Sequence, residues 1–435
     1  MINFSRAVQL HQLARQGATV VTMVGLAQLG VDFAEVGNFE SLRYLAYALS
    51  AFWLGGLGNA YLRQRQTTQH AERWFVFYLL IVLLGAILVF ALFATGTRTL
   101  GRWLVDAPAL EHGLAFGTFV MGQLAGSAVE QEAIGDRAKW RLLAYSLSGN
   151  ALQVGLFLGP LYAGLPMLLA MWGLAASAVY RVAWVALRYL RKRDARLPEP
   201  AERRQFWSTA SSLSVYGLMT IAVVAVDHAL VGYTSADAKQ AIALWRYGAQ
   251  ELPLLVGVVS ALNATALAEG QSGERTMLWQ IKSRSDKLTL VVLPLAIALM
   301  ATSQWWWTRV FSAEFAPAQA LFNTMLLLVP SRMLLTTPIL ISQDRHRRMT
   351  SVGIVENLAN VAVSLALVPW LGMLGIALGT VVAFCGERAA YVSLLARGGT
   401  PLGSYLGVRR WALLSLGLLI AYALCTDFDA ILALR

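Results

Sequence analysis

The chain has few charged residues for its length, and this shortage excludes a soluble globular domain. Of its 435 residues only 14% are charged and 57% are hydrophobic, and the mean hydropathy is +0.57. A soluble domain carries about a quarter charged residues, so the chain lacks the polar surface that water requires. With only two cysteines and five histidines, no disulfide framework or Cys/His metal site is predicted. No Walker loop or nucleophile elbow is present, and we expect a protein that is not an enzyme.

Apolar runs of about 20 residues, the length needed to cross a bilayer as a helix, recur along the chain. They predict an all-α polytopic membrane protein with twelve or thirteen spans, the last of them an extra span at the C-terminus. We place the spans at about 8–30, 41–61, 74–94, 112–133, 140–160, 165–187, 207–232, 241–267, 287–307, 318–341, 351–371, 374–396 and, more weakly, 411–426.

The net charge of +11 indicates topology and not nucleic-acid binding. Most of the 35 lysines and arginines lie in the N-terminal arm and in the even-numbered loops, above all in RYLRKRDARLPEPAERR at 188–204. Cytoplasmic loops of membrane proteins carry an excess of lysine and arginine. The pattern therefore predicts that the N-terminus and the even-numbered loops are cytoplasmic.

The two halves of the chain repeat each other in local sequence. AIGDRAKWR (133–141) follows the fourth span and ISQDRHRRM (341–349) the tenth, VDFAEVGNF (31–39) corresponds to YTSADAKQA (233–241), and similar outer turns surround Pro160 and Pro369. Six spans with the same orientation in each half predict a parallel repeat, with a cavity between the lobes and alternating access. The predicted division is an N-terminal six-helix lobe at 1–197, a linker at 198–205, a C-terminal six-helix lobe at 206–400 and an extra span with its tail at 401–435.

Across about residues 8–400 the chain resembles the Wzx-type polysaccharide flippases of the multidrug/oligosaccharidyl-lipid/polysaccharide (MOP) exporter superfamily. The resemblance lies in YALSAFWLGGLGNAYLRQRQ (47–66), VVAVDHALVGYTSADAKQAIALWRYGAQELP (223–253), FSAEFAPAQALFNTMLLLVP (311–330) and IVENLANVAVSLALVPWLGMLGIALGTVVA (354–383). It implies transfer of an undecaprenyl-pyrophosphate-linked oligosaccharide across the bacterial inner membrane. The sugar head group would pass through a cavity lined by cationic and aromatic residues.

Related lipid II flippases carry a sodium site between the seventh, eleventh and twelfth spans. Asp227 matches the acid of the seventh span and Asn360 the asparagine of the eleventh, whereas Ser364 stands where that family has a second acid. Glu356, Asn360 and Ser364 recur every four residues and share one face of the eleventh span. These oxygens predict either a site for a hard cation or a set of interhelical hydrogen bonds.

Ionisable residues at membrane depth are costly and are hypotheses for function. Arg15, Arg246, Glu251 and Arg332 are predicted to line the substrate cavity, where a guanidinium suits a pyrophosphate. Arg43 and Arg181 lie nearer the ends of their spans, so we expect both side chains to snorkel towards the interface.

The predicted function is therefore that of a flippase for a polyprenyl-linked saccharide. No cofactor is expected beyond Na⁺ or H⁺ as the coupling ion, and the partners would be the glycan lipid, the bilayer and polysaccharide polymerase or assembly proteins. Two alternatives remain open. One is a cation-coupled multidrug or small-molecule antiporter of the same superfamily, and the other is a membrane-embedded glycosyltransferase or polymerase.

Overall fold

The computed structural model describes most of the chain, and the described part is helical. It covers residues 4–67, 71–96, 99, 112–192, 197–250, 255, 259, 274–343 and 345–429. Its fifteen α-helices are α1 (Phe4–Gln28), α2 (Phe33–Thr67), α3 (Ala71–Thr95), α4 (Gly113–Gly135), α5 (Lys139–Tyr162), α6 (Met167–Leu190), α7 (Pro200–Thr234), α8 (Ala238–Gly248), α9 (Glu274–Phe311), α10 (Ala318–Leu326), α11 (Val329–Arg332), α12 (Thr336–Ser342), α13 (His346–Leu371), α14 (Met373–Arg397) and α15 (Val408–Cys425).

The apolar runs of the sequence form these helices, as expected where the backbone must satisfy its own hydrogen bonds in lipid. Eight helical segments of the described residues are long and apolar enough to cross a membrane, and the weakly predicted C-terminal segment is among them as α15. The eight are Glu72–Thr95, Lys139–Tyr162, Met167–Leu190, Thr276–Phe311, Ala318–Ser342, Arg348–Leu371, Met373–Arg397 and Val408–Cys425. The predicted all-α polytopic fold is confirmed.

The predicted tenth span, 318–341, differs from the expectation of one continuous helix. It consists of the three short helices α10, α11 and α12, which together make a single apolar segment. Pro330 stands in the first turn of α11 and Pro338 lies within α12. Because proline lacks an N–H group and its ring displaces the preceding turn, the two prolines account for the interruptions.

The chain forms two compact units, Met1–Ala225 and Val226–Arg435. Helix α7 begins at Pro200, so residues 200–205 of the predicted linker are its first turns. The lobe boundaries drawn from the sequence stay a prediction.

In the N-terminal unit, α4 packs against α2, α3 and α6, and α5 packs against α1 and α6. A cluster of aromatic side chains on α3, which includes Trp74, Phe75 and Tyr78, forms a buried core with Phe206. Gly122 lies against Ala178, where a larger residue would overlap the α6 backbone. Small residues thus allow α4 and α6 to approach closely, as is common between membrane helices.

In the C-terminal unit, α13 and α14 form a tight antiparallel pair joined at Gly372, whose φ of 54° favours glycine. Gly379 of α14 lies against the backbone and hydroxyl of Ser364 of α13. A side chain at position 379 would force the two helices apart. This close approach places the polar face of α13 next to the middle of α14.

Candidate functional site

The Asp227 carboxylate of α7 lies in a buried cluster of oxygen atoms in the C-terminal unit. Its Oδ1 accepts a hydrogen bond of 2.8 Å from Asn360 Nδ2, and its Oδ2 accepts one of 2.8 Å from Thr380 Oγ1. All three residues are less than a tenth exposed. Two hydrogen bonds therefore hold the Asp227 carboxyl group inside the protein, and no described basic side chain forms an ion pair with it.

The cluster also contains a second hydroxyl and a main-chain carbonyl. Ser364 Oγ lies 3.2 Å from Asn360 Oδ1, and the Ser364 and Thr380 hydroxyls lie 3.4 and 3.2 Å from the carbonyl oxygen of Ile376. Carboxylate, amide, hydroxyl and carbonyl oxygens from α7, α13 and α14 thus converge within hydrogen-bonding range of one another. Oxygen ligands of these types are those that hard cations prefer. We call Asp227, Asn360, Ser364, Ile376 and Thr380 the oxygen cluster.

The structure brings together three of the four residues predicted for the ion site and adds one that the sequence reasoning missed. Glu356, the fourth, shares the face of α13 but has different neighbours, described below. Thr380 was missed because a threonine within an apolar span is common and bonds the preceding turn in most cases. Its position directly after Gly379, where α13 and α14 pack closely, is the signal that could have identified it.

Glu356 lies in a group of four charged residues one helical turn before the oxygen cluster. Glu387, Arg388 and Arg332 are the charged groups that act on its buried carboxylate. The Arg388 guanidinium lies 3.4 Å from Glu387 and donates to the hydroxyls of Thr336 and Thr337, each over 3.3 Å. Two acids and two arginines therefore balance their charges in this part of the C-terminal unit.

The predicted cavity residues are distributed over both units. Arg15 is exposed on α1 in the N-terminal unit. Arg246 is half-buried in the last turn of α8, and the half-buried Arg332 guanidinium lies 4.0 Å from the centroid of the Phe384 ring. Glu251 lies outside the described residues. Whether these residues line one cavity stays a prediction.

The expectation that Arg181 snorkels is wrong, and the same expectation for Arg43 stays a prediction. Arg181 is 3% exposed and donates hydrogen bonds to Tyr145, Asn150 and Gln153 of α5. Arg43 is partly buried and pairs with Glu40, whose carboxylate is 2.9 Å away and almost fully buried. The Arg181 guanidinium turns into the N-terminal unit because polar partners on a neighbouring helix replace water.

A second ionic group ties together the ends of four helices of the N-terminal unit. Glu132 of α4, which is fully buried, accepts two hydrogen bonds from Arg188, at 2.8 and 2.7 Å, and one of 2.5 Å from Lys192. Asp136 pairs with Arg65 of α2 and, at 2.5 Å, with Arg141 of α5. Burial lowers the pKa of Lys192, and Glu132 opposes that shift. This ionic cluster contains four basic residues and two acids.

Within the described residues no group of three or more His, Cys, Asp and Glu side chains could hold a metal ion. Neither the oxygen cluster nor the ionic cluster resembles a hydrolytic or redox centre. The oxygen cluster is suited to an alkali cation or a proton, and the ionic cluster to holding helix ends in place.

Comparison with known proteins finds similarity in structure alone. No family model and no curated protein matches the chain. A MOP superfamily transporter from Pyrococcus furiosus superposes with a TM-score of 0.65 at 15% identity, over 94% of this chain and 95% of that one. The outward-facing form of a multidrug resistance MATE family transporter of the same superfamily gives 0.63 at 16% identity, over 95% and 97%. Its inward-facing form gives 0.61 at 16% identity, over 93% and 96%.

The chain therefore has the two-lobed fold of MOP superfamily transporters. With its long apolar helices, that fold makes it a multi-pass membrane protein. At this level of sequence identity, the structural similarity shows the fold and does not identify the substrate.

Proposed function

We propose that this protein is a cation-coupled transporter that moves an anionic, polyprenyl-pyrophosphate-linked saccharide across the bacterial inner membrane. The observation that carries the proposal is the oxygen cluster around Asp227, within a fold shared with transporters. The N-terminus would be cytoplasmic, in line with the lysine and arginine distribution. Assembly partners would include the enzymes that polymerise the translocated saccharide.

Coupling to a cation is supported by the chemistry of the oxygen cluster. An ionised carboxylate at membrane depth is costly unless a positive charge or hydrogen bonds compensate it. Asn360 and Thr380 supply two hydrogen bonds, and Na⁺ would supply the charge while Asn360, Ser364 and Thr380 supply neutral oxygens. A proton on Asp227 would serve the same purpose. Because the ligands come from three helices, binding a cation would draw α7, α13 and α14 together.

An anionic substrate is supported by the arginines in the helices. A pyrophosphate that leaves water needs fixed cations, and charge-assisted hydrogen bonds to arginine are about twice as strong as neutral ones. Arg15 is exposed on α1, as contact with a ligand would require. Arg332 is half-buried, and its guanidinium lies 4.0 Å from the centroid of the Phe384 ring.

The second candidate is a multidrug antiporter, because two of the structural neighbours are described as multidrug resistance transporters. Such a protein would share the oxygen cluster but would carry cationic drugs, for which acids are better cavity residues than arginines. The Pyrococcus furiosus neighbour is described as having a binding pocket of reversed polarity and a different function. The sign of the pocket charge is therefore the property to test.

The test is complementation of a flippase-null strain, with surface glycan and drug accumulation measured on the same cells. Wild type should restore surface glycan. Arg15→Ala should lose most of it at normal protein abundance. Arg15→Lys should recover part of it, because lysine retains the positive charge but not the bidentate donor geometry of the guanidinium. Arg409→Ala, which removes an arginine exposed at the start of α15, is the matched control. Drug export without glycan export would establish the antiporter instead.

Coupling is tested in vesicles with imposed Na⁺ or H⁺ gradients. Asp227→Asn should abolish the gradient dependence of transport while the protein remains folded. Asp286→Asn is the matched control, because this aspartate accepts a hydrogen bond from Gly407 N outside the oxygen cluster. Gradient-driven transport that persists in Asp227→Asn would contradict the coupling role.

A further inference from the structure

Three ionisable side chains from three helices meet inside the N-terminal unit. His11 Nε2 of α1 lies 3.8 Å from Glu130 Oε2 of α4, and Arg181 Nη1 of α6 lies 3.9 Å from Glu130 Oε1. His11 is 2% and Arg181 3% exposed. The Glu130 carboxylate thus stands between two buried nitrogen groups, about 1 Å too far from each for a hydrogen bond.

Two of the buried nitrogen atoms in this group have no hydrogen-bond partner among the described residues. They are His11 Nδ1 and Arg181 Nε. Buried polar groups are nearly always hydrogen-bonded, and each exception calls for an explanation. Here both exceptions occur in side chains that face the same carboxylate.

Arg181 is held mainly by neutral groups. It donates to Tyr145 Oη over 3.2 Å, to Gln153 Oε1 over 3.3 Å and to Asn150 Oδ1 over 3.4 Å. Gln153 Oε1 also accepts a bond of 2.6 Å from Gln123. These neutral partners hold the Arg181 guanidinium beside Glu130 without compensating its charge. The Glu130 carboxylate can therefore also interact with a second cation.

The charge of the group depends on the protonation of His11. With a neutral imidazole, the cation that the structure describes beside Glu130 is Arg181, whose Nη1 lies 3.9 Å from the carboxylate. An imidazolium would add a second cation and, after a shift of less than about 1 Å, a charge-assisted hydrogen bond to Glu130. Histidine is the side chain whose charge changes nearest to neutral pH, and small changes in its surroundings move that transition.

We propose that His11, Glu130 and Arg181 form a proton-binding site inside the N-terminal unit, separate from the oxygen cluster of the C-terminal unit. Its ligand is a single proton, which His11 takes up and Glu130 stabilises. Arg181 opposes the uptake by its charge and makes the bound proton easier to release. The charged groups that act on His11 are Arg15 on its own helix, Glu130 on α4 and Arg181 on α6, and the titratable Tyr145 on α5 accepts a hydrogen bond from Arg181.

The test is a pH titration of ¹⁵N-histidine-labelled protein in lipid bilayers by solid-state NMR, which needs no substrate and is independent of the proposed transport. The His11 signal is the one that His11→Gln removes, and it should change protonation within the pH range in which the protein remains folded. Glu130→Gln should move the half-protonation point to lower pH, and Arg181→Gln to higher pH, each by at least about one unit. His112→Gln, at a partly buried histidine outside the group, should leave the His11 titration unchanged.

The opposite signs of the two shifts separate a proton site from a merely structural polar group. If Glu130→Gln does not fold, Glu130→Asp keeps the charge and should retain a titration close to that of wild type. A His11 signal that stays in one protonation state across the range would overturn the proposal. So would a titration that neither Glu130 nor Arg181 substitution shifts.

Discussion

The fully buried Glu132 provides a direct test of how the N-terminal unit is held together. Glu132→Gln keeps the size of the side chain but removes the charge that Arg188 and Lys192 contact at 2.5–2.8 Å. Removal of one partner from a buried ion pair costs about 3–5 kcal/mol, because the other charge remains buried. For a unit of about 200 residues this corresponds to a fall in melting temperature on the order of 6–20 °C.

The assay is thermal unfolding of the purified protein in detergent, followed by tryptophan fluorescence. Glu72→Gln makes the same change at an exposed position of α3 and should cost less than about 1 kcal/mol. Combining Glu132→Gln with Arg188→Gln should cost less than the sum of the single changes, by more than about 1 kcal/mol. Additive costs, or a loss of less than about 1 kcal/mol in Glu132→Gln, would refute a stabilising ion pair.

Three further predictions concern the oxygen cluster, the helix packing and the topology. Thr380→Val removes a hydroxyl that donates to Asp227 and should weaken cation binding about tenfold in a Na⁺ titration of thermal stability; unchanged affinity would exclude this hydroxyl as a ligand. Gly126→Ala places a methyl group against the Tyr145 hydroxyl and should destabilise the protein by about 1–3 kcal/mol on unfolding, whereas Gly155→Ala, which meets open space, should not. Topology-reporter fusions should report a cytoplasmic location at two points and a periplasmic location at two others. A reversed pattern would overturn the predicted orientation of the chain in the membrane. The cytoplasmic points are after Arg196 and Lys282, and the periplasmic points after Leu104 and Asp237; Arg196 and Leu104 lie outside the described residues.

Helix positions could be predicted well because the bilayer imposes a length on every apolar run. The third span was expected at 74–94 and α3 runs from Ala71 to Thr95; the sixth was expected at 165–187 and α6 runs from Met167 to Leu190. Among the predicted spans that the structure describes along their whole length, the segment containing Pro330 and Pro338 departs from this pattern. Hydropathy sums over a window and does not register a local loss of backbone hydrogen bonds, so it reports that segment as one span.

The polar sites could be predicted only in part because they depend on which helix faces which. The spacing of Asn360 and Ser364 places both on one face of α13, and the family resemblance supplied Asp227. Thr380 and the grouping of Glu356 with Glu387 depend on the packing of α14, which spacing along one helix does not contain. Arg181 was misread because its distance from the end of the span was known but its partners on α5 were not.

The order in which the oxygen cluster is synthesised gives it a consequence for biogenesis. Asp227 precedes Asn360 by 133 residues and Thr380 by 153. At a synthesis rate of about 5–20 residues per second, the ribosome needs roughly 7–27 s to reach Asn360 after Asp227 has been made. During that interval α7 enters the membrane with a carboxylate whose final partners do not yet exist. A nascent chain stalled in this window should therefore hold α7 less firmly in the bilayer, and insertion would be completed only when α13 and α14 arrive.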